Sequence, residues 1–185
     1  MLISKFDSTA AADEIMAIEQ QYAIALPQPY KTFLMHYNGG YTPKTRFRLK
    51  GISSDVRGFY GAGKVGLPLD SELIAAWIPK HMFPIGCDSF GNLLLICVEG
   101  ELCGAIFFHD HEKGKKLSVL SSDFPSFVRA CKSEPIPDAA RRSIAERKEA
   151  LLARGRGDVI TPALVQMWQD ELDKYGNMVQ EELVL

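Results

Sequence analysis

The chain has 185 residues, 46% of them hydrophobic, and its 21 basic and 23 acidic side chains leave a formal charge of -2. That balance supplies no global field for nucleic acid or an anionic membrane, and no run approaches the roughly 18 consecutive apolar residues of a membrane-spanning helix. The opening residues Met1-Leu2-Ile3-Ser4-Lys5-Phe6-Asp7 lack the charged-then-apolar order of a signal peptide, so cytoplasmic residence is expected.

Ala11, Ile15, Ile18 and Tyr22 fall on one helical stripe and predict a helix over residues 9–22 that ends before Leu26-Pro27. Tyr30, Phe33, Leu34 and Tyr37 recur at i, i+3, i+4 and i+7, which gives a second helix one buried face. Pro29 suits its first position, with Gln28 held outside the helix, and Asn38-Gly39-Gly40 reads as its stop because these residues tolerate the left-handed backbone.

Beyond Tyr41 the period changes. Arg46-Phe47-Arg48-Leu49-Lys50 alternates, which predicts a half-exposed strand with Phe47 and Leu49 on one face and the cations on the other. Residues 51–69 hold five glycines and read as irregular, anchored by Val56, Phe59 and Tyr60, after which Asp70-Ser71 caps a short helix through Trp77. The unbroken apolar run from Asn92 to Val98 predicts a strand buried on both faces. A turn at Glu99-Gly100, a return strand from Gly104 to His109 and a third strand from Lys115 to Leu120 complete an antiparallel trio. Ser122 or Asp123 then caps a helix carrying Phe124, Phe127, Val128 and Cys131.

These elements predict an α+β fold, a mostly antiparallel sheet with helices packed around it, over residues 1–134. Pro135-Ile136-Pro137 marks a boundary, since two prolines fix φ and remove donors, and residues 135–185 form a C-terminal helical extension. One helix is expected over residues 139–154 and, after Gly155-Arg156-Gly157-Asp158, another capped by Thr161-Pro162. The stripe of Leu164, Trp168, Leu172 and Tyr175 on that last helix packs either on the core or against a second chain as a homodimer.

No motif for catalysis emerges. His109-Asp110-His111-Glu112 is the densest titratable cluster, and two histidines two apart on a strand would share a face, but no third metal ligand is placed, with His36 and His81 distant in the chain. Gly61-Ala62-Gly63-Lys64-Val65-Gly66 has the wrong glycine order for a phosphate loop, and Val65 stands where a hydroxyl is needed. Cys87, Cys97, Cys103 and Cys131 form no C-x-x-C pair and read as free thiols, although Cys97 and Cys103 lie on either side of a hairpin turn. No serine occupies a nucleophile elbow. No catalytic residue, metal or cofactor is therefore expected. Between Lys44 and Lys64, six cations (Lys44, Arg46, Arg48, Lys50, Arg57, Lys64) meet one acid, Asp55, a local +5. Such a row shields a strand edge from aggregation, and it equally suits phosphates or an acidic protein surface.

Three blocks, in order, carry a family resemblance. Pro27 to Gly40 (Pro-Gln-Pro-Tyr-Lys-Thr-Phe-Leu-Met-His-Tyr-Asn-Gly-Gly) resembles the N-terminal signature of the SUKH superfamily, which includes fungal cell-wall-synthesis regulators and many bacterial immunity proteins. Phe83 to Asn92 is similar to the family's Pro-Ile-Gly-x-Asp-x-x-Gly-Asn segment, and Gly104 to Glu112 to its later strand and polar turn. The resemblance spans residues 9–131 and leaves 135–185 outside it. It implies structural roles for Pro27, Tyr30, Phe33, Leu34, Asn38, Gly39, Gly40, Pro84, Gly86, Asp88, Gly91 and Asn92. It further implies a non-enzymatic immunity protein that binds and occludes a toxin domain, often a nuclease, or alternatively a regulatory module of the cell-wall-regulator type. Arg46, Arg48, Lys50, His109, Asp110 and His111 are the expected partner surface, and a metal-assisted hydrolase using His109 and His111 is the distant alternative.

Overall fold

The computed structural model describes residues 1–6, 12–62, 66–114 and 116–185. In chain order the elements are β1 (Leu2–Lys5), α1 (Ala12–Tyr22), α2 (Gln28–Tyr37), β2 (Gly40–Tyr41), β3 (Thr45–Leu49), β4 (Ile52–Asp55), β5 (Gly58–Phe59) and α3 (Ser71–Trp77). A 3-10 turn then leads to β6 (Met82–Cys87), β7 (Leu93–Cys97) and β8 (Ile106–His109), and a second, His111–Lys113, to β9 (Leu117–Ser121), α4 (Phe124–Ala130) and β10 (Lys132–Ser133). The chain closes with α5 (Asp138–Arg141), α6 (Ile144–Leu152), a 3-10 turn, α7 (Pro162–Tyr175) and β11 (Glu181–Glu182).

The described residues form two compact units, Met1–Glu134 with Glu181–Leu185, and Pro135–Gln180. In the first, an antiparallel eight-stranded sheet runs β11-β1-β2-β5-β6-β7-β8-β9, and a second sheet runs β10-β3-β4. Helices cover the large sheet, so the α+β architecture expected from the mixed periodicity is the one observed.

The main core is aromatic. Tyr30 and Phe33 of α2 meet Phe124 of α4 with ring centroids 5.3 and 5.1 Å apart, and Phe33 reaches Phe59 of β5 at 5.2 Å. These rings are fully or almost fully buried, each removing on the order of 150–250 Å² from water. The opposite face of the sheet holds Leu95 and Phe107 under Trp77 of α3. Asp70 caps α3 by accepting from the Glu72 and Leu73 N–H groups, and of the two expected caps for α4 it is Asp123 that accepts from Ser126 N–H.

Several boundaries differ from expectation. Helix α2 begins at Gln28, with Pro27 as its cap and Pro29 inside its first turn, one residue earlier than the rule for residues preceding proline suggests. Residues 51–69 contain β4 and β5, because Lys50 and Gly51, at φ 48° and 81°, form a two-residue hairpin turn. The helix expected over 139–154 is two helices, broken where Ser143 and Glu146 form a reciprocal capping box that starts α6. Strand β1 was not expected at all. Ala11 of the first helical stripe, Gly63 to Val65 of the glycine-rich loop and Lys115 lie outside the described residues.

The Asn38-Gly39-Gly40 stop divides its labour. Asn38 is the left-handed cap, at φ 47°, and its N–H donates to Leu34 O. The glycines answer to neighbours distant in sequence: a Cβ at Gly39 would lie 2.7 Å from Phe59 O, and one at Gly40 2.7 Å from Ser4 O. Strand β2 therefore fits between β1 and β5 only with glycine at position 40.

In the second unit, α5 and α6 pack on α7, which Thr161 caps through Leu164 N–H. Arg147 of α6 pairs with Glu171 at 2.8 Å and lies 5.8 Å above the Trp168 ring. Residues 181–185 return to the first unit, where β11 pairs β1 and Val184 N–H donates to Tyr37 Oη at 3.0 Å.

Candidate partner-binding surface

The alternation of β3 is realised: Thr45 and Phe47 are buried, and Arg46 and Arg48 are exposed. Cross-strand partners share a face, so register puts Lys132, Arg46 and Asp55 in one row and Arg48 with Ser53 in the next. Lys50 sits apart, in the hairpin turn. Lysine directly opposite arginine is repulsive, and Glu134 relieves it with a 2.6 Å ion pair to Arg46. This pair is exposed and contributes little to stability. Arg48 and Lys132 have no ion-pair partner among the described residues.

Beside this face lies a cluster of loops tied together by the signature residues. Asp88 is buried, and its carboxylate accepts from Phe90 N–H (2.9 Å), Asn92 N–H (2.8 Å), Asn92 Nδ2 (2.8 Å) and Ser54 Oγ (2.7 Å). With its amide nitrogen committed to Asp88, Asn92 presents Oδ1 to His111, accepting from the backbone N–H at 3.0 Å and from Nδ1 at 2.8 Å. His111 therefore carries a proton on Nδ1, an assignment that follows from the network. Asp55 adds another tie by accepting from the Ser89 N–H and hydroxyl. The Asp88–Asn92 turn, the end of strand β4 and the turn at His111 are thus tied together around one buried carboxylate, and at the tip stands Phe90, 72% exposed.

His109 and His111 do not share a face, because β8 ends at His109 and strand alternation no longer applies at His111. His109 donates from Nε2 to Gly114 O at 2.8 Å, and its ring meets Trp77 edge-on at 4.7 Å. Asp110 caps the 3-10 turn, and its hydrogen bond to the Lys113 ammonium holds its carboxyl below the usual range. No group of three His, Cys, Asp or Glu residues suited to a metal occurs among the described residues. Burial raises the Cys87 thiol and pushes Cys131 up to about 12, so neither is a thiolate at neutral pH. Cys97 and Cys103 are both free. No described helix is long and apolar enough to cross a membrane.

Of the expected surface residues, Arg46 and Arg48 lie on one exposed strand face, and Asp110 and His111 belong to the loop cluster. His109 is turned toward Trp77. Phe90, Ser54 and Lys132 were missed. A phenylalanine inside the polar turn Asp88-Ser89-Phe90-Gly91 was the available signal, since nothing in a four-residue turn gives such a ring a core to enter.

The matches to known proteins fit this arrangement. A curated protein of Bacillus subtilis (strain 168), described as SPbeta prophage-derived uncharacterized protein YokK, is 24% identical over 156 residues, covering 71% of this chain and 80% of that protein. Residues 9–130, which hold α2, β2 to β9 and the whole loop cluster, match the SMI1 / KNR4 family (SUKH-1), and the chain belongs to that family.

Proposed function

We propose that this protein is a non-catalytic binding module that neutralises a toxin domain by direct occlusion, as an immunity protein. Phe90 carries the reading: a ring that is 72% exposed stands on a turn immobilised by a buried carboxylate. An exposed aromatic whose backbone is already fixed loses little entropy on docking, which is the character of an interface anchor. His111 and the Arg46/Arg48 face supply polar and charged complementarity around it, governing partner choice and encounter rate. Family membership supports a protein partner, and the network around Asp88 is spent on holding the surrounding turns.

The test reads the genes beside this one for a toxin domain and co-expresses each such domain with the protein; a neighbourhood without a toxin gene counts against the reading. Wild-type protein rescues growth, and Phe90→Ala abolishes rescue while melting at the wild-type temperature. No rescue by the wild type, or full rescue by Phe90→Ala combined with Arg48→Glu, overturns the reading. Capture of a host regulatory complex in place of a toxin favours the cell-wall-regulator alternative.

A further inference from the structure

Strand β9 is an outer edge of the large sheet, and its sequence, Leu-Ser-Val-Leu-Ser, holds no proline or charge to guard it. Which backbone groups it leaves open follows from the ladder. Val98 N–H donates to His81 O and Cys97 N–H to Ala105 O, each at 2.9 Å, so Leu95 and Leu93 bond toward β8. Phe108, paired with Leu94, then turns its groups to β9, where Ser118 meets it, and Leu117 and Val119 direct theirs away from the sheet. Beyond β8, no backbone hydrogen bond among the described residues reaches β9. Helix α4, which follows, packs Phe124 on Tyr30 and Phe33 over one face of the sheet and leaves the edge clear. After Val119 the ladder slips: Ile106 faces Ser121, so Leu120 is an extra residue that bends the strand.

We infer that this edge pairs with the same edge of a second copy, antiparallel, about a two-fold axis at Ser118. The occupant follows from the edge itself. Under that axis Leu117 exchanges both backbone hydrogen bonds with Val119 of the second copy, and Val119 with its Leu117, so every outward group ahead of the bulge is met. Ser118 faces its own counterpart at the narrow, non-hydrogen-bonded position, where a small side chain fits. Leu117 and Val119 are half-buried against the cluster of Trp77, Leu95 and Phe107, and the same two residues of the second copy prolong that apolar row across the joint. The strand offers no charge to an acidic or basic partner segment, which favours its own uncharged copy. The inference goes beyond the toxin-binding reading and uses neither Phe90 nor the cationic face.

Full-length protein is followed by sedimentation equilibrium, and its amides by hydrogen exchange at high and low concentration. A dimer is expected at about 100 µM. Ser118→Lys and Ser118→Glu each set like charges opposite one another on the axis and should weaken dimerisation at least about tenfold, while an equimolar mixture of the two should dimerise again. In the wild-type dimer the Leu117 and Val119 amides should exchange at least about tenfold more slowly than on dilution to monomer, whereas the Ser118 amide, bonded to β8 in both states, should change little. The proposal is overturned by a wild type that stays monomeric at about 100 µM, by a mixture of folded variants no more dimeric than its components, or by a dimer in which Leu117 and Val119 exchange as they do in the monomer. That last result places the contact elsewhere, as on the α7 stripe. The exchange data need no variant, so they decide the matter even if a charge at position 118 unfolds the chain. Phe90-dependent rescue is a separate readout that none of these outcomes moves.

Discussion

Tyr30 belongs to the family signature, yet its hydroxyl is a liability. The side chain is 0% exposed and its Oη, buried among aromatic rings, has no hydrogen-bond partner among the described residues. Burial raises its pKa strongly, because a phenolate there would be costlier still. An unsatisfied buried hydroxyl costs about 1–3 kcal/mol, and phenylalanine keeps the ring contacts to Phe33, Phe83 and Phe124. Tyr30→Phe should therefore stabilise the first unit by about 1–2 kcal/mol, with Tm rising about 2–4 °C per kcal/mol at this size. Urea unfolding followed by Trp77 fluorescence, in a Trp168→Phe background, isolates that unit. A second signature comes from linkage. The folded pKa lies above the unfolded value, so wild-type stability is complete below about pH 10 and declines above it, where only the unfolded phenol ionises. The advantage of Tyr30→Phe should consequently widen above pH 10. A destabilised Tyr30→Phe, or a gap that stays constant with pH, would refute the orphaned-hydroxyl argument.

Gly39→Ala should cost about 2–3 kcal/mol in urea unfolding, since the new Cβ would press on the Phe59 carbonyl at a positive φ; a cost under about 0.5 kcal/mol contradicts the close approach. Asn92→Ala should cost about 2–3 kcal/mol, because it strips Asp88 and His111 of a shared partner, and unchanged hydrogen-exchange protection at Phe90 would disprove the loop-locking role. Asp123→Ala should cost about 1 kcal/mol at pH 7 as a lost helix cap. Hydrogen bonds from Ser126 N–H lower the Asp123 pKa, so its contribution is present above the ordinary carboxylate range and lost as pH falls through the folded value. The gap between wild type and Asp123→Ala should accordingly close in acid, and a pH-independent gap in the melting curves would argue against a charged cap.

Elements whose information is local were legible in the sequence. The stripe of α2 and the Arg46-Phe47-Arg48 alternation are periodic over enough residues to declare which face is buried. Strands β2, β5, β10 and β11 have two residues each, too few for a period, and exist because neighbours from elsewhere in the chain pair with them. The double glycine shows the same divide: its helix-stopping cap could be read from Asn38, whereas its steric purpose depends on Phe59 and Ser4. One miss had a signal in plain view, since Ser143 with Glu146 three residues on is a capping-box pattern that divides residues 139–154.

The loop cluster carries this divide into function. Asp88, Gly91 and Asn92 form a recognisable block because the turn's hydrogen bonds are local, running between Asp88 and residues no more than four positions away. The reach of the block, to Ser54 across 34 positions and to His111 across 19, needs the fold. What these residues hold in place is Phe90, to which the motif assigns no role. A scaffold of this kind can keep its locking residues while the exposed tip and the β3 face vary with the partner. Exchanging Phe90, Arg48 and Lys132 for the corresponding residues of a relative with a different protein partner should then transfer recognition with stability unchanged to within about 0.5 kcal/mol. Transfer that instead required replacing Asp88 or Asn92 would place specificity in the lock itself and defeat the division of labour.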